Sequence, residues 1–139
     1  MGRLPSEAYK AAMPTEADEQ KALFKWAQAA RGKYPELELM FHVVNEGRRD
    51  GRTGFNLRLM GMKRGVPDIC LPVARGGLHG LYVEMKRVKG GRPSPEQFWW
   101  REKLREQGYR AEICYGWEEA ARVIREYLET SGIDNGGNE

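Results

Sequence analysis

The sequence predicts an α/β domain in the order helix, three strands, helix, strand, helix. Three observations lead to this prediction. Helix-start signals stand at Thr15 and Ser94, four runs are rich in strand-forming residues, and glycine-rich turns separate several of these segments. We therefore expect helices and strands to alternate along one chain of 139 residues, a length that suits a single domain.

The first half of the chain begins with a helix. Thr15 is followed by acidic residues that are typical of a helix start, and the helix should continue to about Arg31. Residues 37–45 are rich in strand formers and form the first predicted strand. A polar loop over 46–54 and a short helix over 55–62 should follow.

A predicted hairpin opens the second half. Residues 69–74 form an apolar run, in which Pro72 indicates a sheet edge or an irregularity. The glycine-rich turn 75–80 leads to a third strand over 81–88, and so short a connection predicts antiparallel pairing.

The last three elements follow a second glycine-rich segment. Ser94, Pro95 and Gln97 suit the N-cap, N1 and N3 positions of a helix that ends before Gly108. The remaining predicted elements are a strand over 111–115 and an amphipathic helix over 117–128.

Composition bounds the class of protein. The formal charge is +3, with 31% charged and 40% hydrophobic residues, which is ordinary globular composition. No long apolar run or signal peptide is visible, so we expect a soluble cytoplasmic protein with no membrane segment.

Cys70 and Cys114 stand in apolar runs and are predicted to be buried thiols. The predicted domain spans 15–129, between mobile segments 1–14 and 130–139.

Two stretches concentrate positive charge. Residues 48–64 hold six basic side chains against one acid, and residues 86–92 hold four basic side chains and no acid. Either stretch can be a solvated surface or can contact phosphates. The candidate DNA-binding residues are Asn45, Arg48, Arg49, Arg52, Lys63, Arg87, Lys89 and Arg92.

Three charged side chains converge at one end of the predicted hairpin. Alternation along the third strand places Glu84 and Lys86 on one face, and the hairpin places Asp68 across from about residues 84–88. Two carboxylates are hard ligands that suit a Mg²⁺-like ion, and a lysine beside them can orient water or stabilise a phosphate. The alternative is a surface ion pair of Glu84 with Lys86 and a turn-capping Asp68.

The order and spacing of these residues resemble a known family. Gly65-Val66-Pro67-Asp68 is followed by 15 residues, by Glu84-Met85-Lys86, and then by Ser94 and Gln97 at a helix start. This pattern resembles the PD-(D/E)xK nucleases, and specifically the VRR-NUC branch. The resemblance covers residues 16–119.

The resemblance implies both a fold and an activity. The fold would be a restriction-endonuclease-like αβββαβ core with a mixed central sheet flanked by helices. Asp68 and Glu84, with the Met85 carbonyl, would bind Mg²⁺ or Mn²⁺, and Lys86 would be the catalytic lysine. Small stand-alone members look like Holliday-junction resolvases, which implies a homodimer that acts on branched DNA, with roles in DNA repair and often a phage origin.

Two further residues complete the predicted site. Gln97 can cap its helix, and the resemblance also places a glutamine near the active site. Steps of about 100° per residue put Glu16 close to the centre of the apolar stripe of the first helix, with Glu19 about 60° away. The family's first motif is similar, a glutamate four residues before a glutamine, as Glu16 and Gln20 stand here. We therefore expect Glu16 to be catalytic, with Glu19 as the alternative.

The two histidines and a run of three aromatic residues are predicted to have structural roles. His42 and His79 are expected in a core strand and a turn, since neither has a partner at metal-ligand spacing. Phe98, Trp99 and Trp100 are consecutive, so at least one should be exposed, and a dimer contact would explain it.

The predicted function is a metal-dependent DNA endonuclease. The alternative is a non-catalytic nucleic-acid-binding module on the same fold.

Overall fold

A four-stranded mixed sheet forms the centre of the domain. The computed structural model describes residues 13–44 and 51–131, and for 51–53 the backbone only. The expected mobile ends and the loop from residue 46 thus lie largely outside the described residues. Within the described ranges, no helix is long and apolar enough to cross a membrane.

Four helices and four strands follow one another along the described chain. The helices are α1 (Glu16–Ala29), α2 (Gly51–Leu59), α3 (Pro95–Glu106) and α4 (Trp117–Glu129). The strands are β1 (Phe41–His42), β2 (Ile69–Leu71), β3 (Leu81–Lys86) and β4 (Arg110–Tyr115). Short 3₁₀ segments at Ala30–Gly32 and Pro35–Leu39 connect α1 to β1.

The sheet has the order β1-β2-β3-β4. β2 pairs antiparallel with both β1 and β3, which confirms the predicted hairpin, whereas β4 runs parallel to β3 after the crossover through α3. The prediction of a mixed sheet flanked by helices is therefore confirmed.

The core lies where α1 and α4 pack against each other and against β3. Both cysteines are buried free thiols, as predicted. Burial of this apolar set supplies the main favourable free energy of folding. Its largest fully buried side chains include Leu23, Ile69, Leu81, Val83, Met85, Ile124 and Tyr127.

Four predicted boundaries were wrong, and one of them is the end of the third strand, which lies at Lys86 instead of residue 88. Residues 35–39 form a 3₁₀ segment with Pro35 at its first position, so the first strand shrinks to Phe41–His42, the two residues that pair with β2. The short helix covers Gly51–Leu59 instead of 55–62. β2 ends at Leu71, because Pro72 lacks the N–H that a ladder needs.

The helix starts were predicted more accurately. Thr15 and Asp18 form a reciprocal capping box at the start of α1, and Ser94 and Gln97 form another at the start of α3. Such signals depend only on residues three positions apart, so they can be recognised without tertiary structure.

The buried face of α1 differs from the predicted one. Glu19, only 5% exposed, lies on this face with Leu23 and Ala27, whereas the Glu16 side chain is 46% exposed. Glu19 Oε1 accepts a hydrogen bond of 2.9 Å from the Trp117 backbone N–H at the start of α4. The prediction that Glu16 occupies the centre of the buried stripe was wrong, because a helix N-terminus satisfies the carboxylate of Glu19 instead.

We predict that Glu19→Ala lowers the free energy of unfolding by about 1–3 kcal/mol, because it leaves the partly buried N–H of Trp117 without its acceptor. Glu16→Ala, at a half-exposed position, should change it by less than about 0.5 kcal/mol. Urea unfolding followed by circular dichroism measures both values. Equal effects of the two substitutions would contradict the structural role of Glu19.

Candidate active site

The turn before β2 is held against the start of α3. Gly65 has φ +85°, and a Cβ at this position would lie 2.7 Å from the Glu96 backbone. Only glycine fits a turn that is both left-handed and this close to another backbone. Trp100 Nε1 also donates to the Arg64 carbonyl at 3.0 Å. These contacts place Asp68 directly before the first residue of β2.

Asp68 extends the pairing of β2 with β3 through its side chain. Ile69 pairs with Val83, so Asp68 stands across from Glu84, at one end of the predicted range 84–88. Asp68 Oδ2 accepts a hydrogen bond of 2.9 Å from the Met85 backbone N–H. The carboxylate therefore takes the position that a backbone acceptor would occupy if β2 continued.

Glu84 is buried beside Asp68 and is held by α3. It is 3% exposed, and its Oε2 accepts a hydrogen bond of 2.8 Å from Gln97 Nε2. Gln97 Oε1 meanwhile accepts from the Ser94 N–H at 2.9 Å, so the cap orients the amide toward Glu84. Both interpretations of Gln97, as a cap and as a neighbour of the acidic residues, therefore describe the same side chain.

Lys86 lies between two of the predicted carboxylates. Its Nζ is 3.7 Å from Glu84 Oε2 and 3.6 Å from Glu16 Oε2, and the residue is only 6% exposed. The structure thus brings together Glu16, Asp68, Glu84, Lys86 and Gln97, the five predicted catalytic residues.

Buried Glu84 and half-buried Asp68 favour a shared proton when no cation is bound. Burial, followed by the charge of Asp68, raises the pKa of Glu84 to about 9. Burial also raises the pKa of Asp68, although the Met85 N–H opposes that shift. A bound cation would favour the ionised form of both groups.

The donor set fits a hard divalent cation. Glu84 Oε1 is buried and receives no hydrogen bond from an N–H of the described residues, so only the proton shared with Asp68 or a cation can compensate it. In a strand the N–H and C=O of one residue lie on the same edge, so the Met85 carbonyl is on the side of Asp68. The described ranges hold no cluster of three His, Cys, Asp or Glu, and two carboxylates suffice for Mg²⁺, which keeps several waters.

A cavity of about 250 Å³ opens beside this pair, lined by Glu16, Gln20, His42, Asp68 and Met85 among others. His42 Nδ1 lies 2.9 Å from the Asp68 carbonyl, and because a carbonyl only accepts, Nδ1 carries the proton. His42 was predicted in a core strand, and its position at this cavity was not predicted. Its pairing opposite Ile69, next to Asp68, brings it there, and the sequence alone does not reveal that pairing.

The predicted DNA-binding residues are spread over several segments. Asn45, Arg48 and Arg49 lie outside the described residues, and the Arg52 side chain is not described either. Lys63 lines a separate groove of about 550 Å³ with Trp100. The other three follow β3: Arg87 Nη2 donates to the Met13 carbonyl at 3.3 Å, and Lys89 and Arg92 are exposed.

Two further expectations concern aromatic and histidine side chains. Phe98 and Trp99 are exposed, as the consecutive aromatic residues predict. His79 lies at the end of β3 away from the acid pair, edge-on to Tyr109.

The fold and the site are those of a nuclease-type domain. The VRR-NUC domain family model matches residues 14–118, and the chain belongs to this family. A solved structure named a VRR_NUC domain protein is similar, with a TM-score of 0.75 and 26% identity over 90% of this chain and 97% of that chain. No curated protein matches the sequence. The resemblance inferred from the sequence is thereby confirmed.

We predict that Glu84→Gln makes the metal-free protein more stable than the wild type at pH 8 but not at pH 5. The folded protein keeps a proton on Glu84 up to about pH 9, whereas the unfolded chain loses it above about 4.5, so wild-type stability falls between these values. The difference should reach about 2 kcal/mol or more, since one pKa unit corresponds to about 1.4 kcal/mol.

Urea unfolding in EDTA at the two pH values measures this difference. Glu38→Gln, at an exposed acid, is the matched control and should show no such dependence. An equal response of both variants would contradict the protonation of Glu84.

Proposed function

We propose that this protein is a divalent-metal-dependent endodeoxyribonuclease that hydrolyses phosphodiester bonds in branched DNA such as Holliday junctions. The observation that carries the proposal is the pair of buried Glu84 and half-buried Asp68, in which no N–H contacts Glu84 Oε1 and Lys86 lies alongside. A protein that only binds nucleic acid gains nothing from two neighbouring acids at its binding surface, because they repel the phosphates.

Asp68, Glu84 and the Met85 carbonyl would hold the Mg²⁺ or Mn²⁺ ion. When bound, such an ion polarises a phosphoryl oxygen and lowers the pKa of water. Gln97 keeps the Glu84 carboxylate in place through a hydrogen bond of 2.8 Å and is itself held by the capping box. The chain thus supplies a preorganised ligand set instead of one assembled by flexible side chains.

Lys86 and Glu16 would act on the reacting groups. The buried ammonium can stabilise the developing negative charge of the phosphate or orient the attacking water. Glu16 faces the cavity, contacts Lys86 Nζ at 3.6 Å and is half exposed, so it can reach both the lysine and a substrate. Its proposed role is to orient Lys86 and the water.

The branched substrate and a homodimer follow from the family resemblance and belong to the same proposal. A two-fold dimer suits a four-way junction, because two symmetric sites can act on two strands. Exposed Phe98 and Trp99 supply apolar surface for such a contact. The proposed setting is DNA repair in the cytoplasm of a bacterial or phage-infected cell.

Asp68→Asn and Glu84→Gln should each reduce cleavage by at least about 10³-fold, or about 4 kcal/mol of barrier, because each removes a charged ligand at nearly constant shape. Labelled four-way, flap, nicked and linear DNA with Mg²⁺ or Mn²⁺ is the assay, and the metal-free reaction is its baseline. Lys86→Ala should cut slowly yet retain Mn²⁺ affinity by calorimetry. Wild-type rates in either acid variant would refute the assignment.

Glu16→Gln should lower the single-turnover cleavage rate at least tenfold, about 1.4 kcal/mol of barrier, because it removes the charge beside Lys86. Glu19→Gln is the matched control one helical turn away. It keeps an oxygen for the Trp117 N–H and should change the rate much less. The reverse order of effects would transfer the role to Glu19.

A further inference from the structure

A basic groove runs along α1 next to the candidate active site. It has a volume of about 420 Å³ and lies between α1 and the segment that leads into β1. None of the residues assigned to DNA binding from the sequence lines it. The residues that matter here are Lys21, Phe24, Lys25, Gln28, Arg31 and Met40.

The groove continues the cavity at the acid pair. On α1, Gln20 lines the cavity, and Phe24, one turn further, lines the groove. On the facing segment, His42 lines the cavity and Met40, two residues earlier, lines the groove. Side chains four residues apart on a helix, or two apart on an extended segment, lie on the same face. The groove and the cavity therefore lie along the same line between α1 and the segment that leads into β1.

The exposed cations of the groove form no ion pair within 13–44 and 51–131, and no acid lines the groove with them. These cations are Lys21, Lys25 and Arg31. Lys21 interacts with Asp18, three residues earlier, but that carboxylate is hydrogen-bonded in the capping box with Thr15. By contrast, Lys103 on α3 contacts Glu106, and Arg122 on α4 contacts Glu126. Exposed positive charge beside an active site attracts a polyanion.

We propose that this groove binds the sugar–phosphate backbone of the DNA strand on one side of the cleaved bond. The inference rests on the proposed nuclease function. From Gln20 to Gln28 the helix rises about 12 Å, which matches the rise of three to four nucleotides along one strand of B-DNA. Lysine and arginine contacts to phosphates carry no sequence information, so the groove positions the strand without selecting its bases.

The test compares two double variants of the full chain by fluorescence anisotropy with a labelled DNA duplex in EDTA, across a KCl series. Lys21→Gln with Lys25→Gln should reduce the salt-dependence slope by about 1.8 units, because each phosphate contact on duplex DNA contributes about 0.9. Lys103→Gln with Arg122→Gln is the matched control. Both pairs take the formal charge from +3 to +1 and change exposed helical positions.

A loss of slope confined to the α1 pair supports the proposal. Equal slopes for the two pairs, whether both unchanged or both reduced, overturn it, since net charge alone would then explain the result. Cleavage by the wild type, measured separately with Mn²⁺, distinguishes the two proposals. Wild-type cleavage with an unchanged slope in the α1 pair rejects the groove and keeps the nuclease. A slope effect without wild-type cleavage rejects the nuclease and keeps the groove as a DNA-binding surface.

Discussion

The hydrogen bond from the Met85 N–H to Asp68 Oδ2 determines the geometry of the site. β2 has only three residues, and its pairing with β3 ends at Ile69 and Val83. The Asp68 side chain then takes the next position and comes to lie against Glu84. A shift of one residue in this register would turn Glu84 to the opposite face of the sheet. The apolar pairs of the hairpin therefore set the carboxylate geometry as well as the core.

The neighbouring carboxyl groups of buried Glu84 and half-buried Asp68 destabilise the metal-free protein, and the surrounding contacts offset only part of that cost. Gln97 and Lys86 both contact Oε2 of Glu84, and Oε1 receives no hydrogen bond from an N–H of the described residues. Such unsatisfied burial is typical of sites that trade stability for binding. The apolar packing of the helices on the sheet supplies the folding free energy that offsets the cost of burying these carboxyl groups.

The parts of the site that could be predicted from sequence depend on short-range structure. The Glu84–Lys86 alternation, the tight hairpin and the Ser94 cap each involve residues close in sequence. The roles of Glu19 and His42 could not be predicted in this way. Glu19 is satisfied by a backbone group 98 residues away, and a helical wheel drawn from apolar residues alone misplaces it. β1 likewise exists only where β2 supplies its partners.

Under the proposed function, the parallel pairing of β3 with β4 bears on which groups can bind a phosphate. Parallel strands end at the same edge, so Gly116 follows β4 beside Lys86 and donates to its carbonyl at 2.8 Å. The N-terminus of α4 therefore begins next to the site, and such a terminus is a natural anion-binding position. Glu19 already occupies the Trp117 N–H there. In the proposed complex with DNA, the phosphates would instead contact Lys86 and the cations along α1.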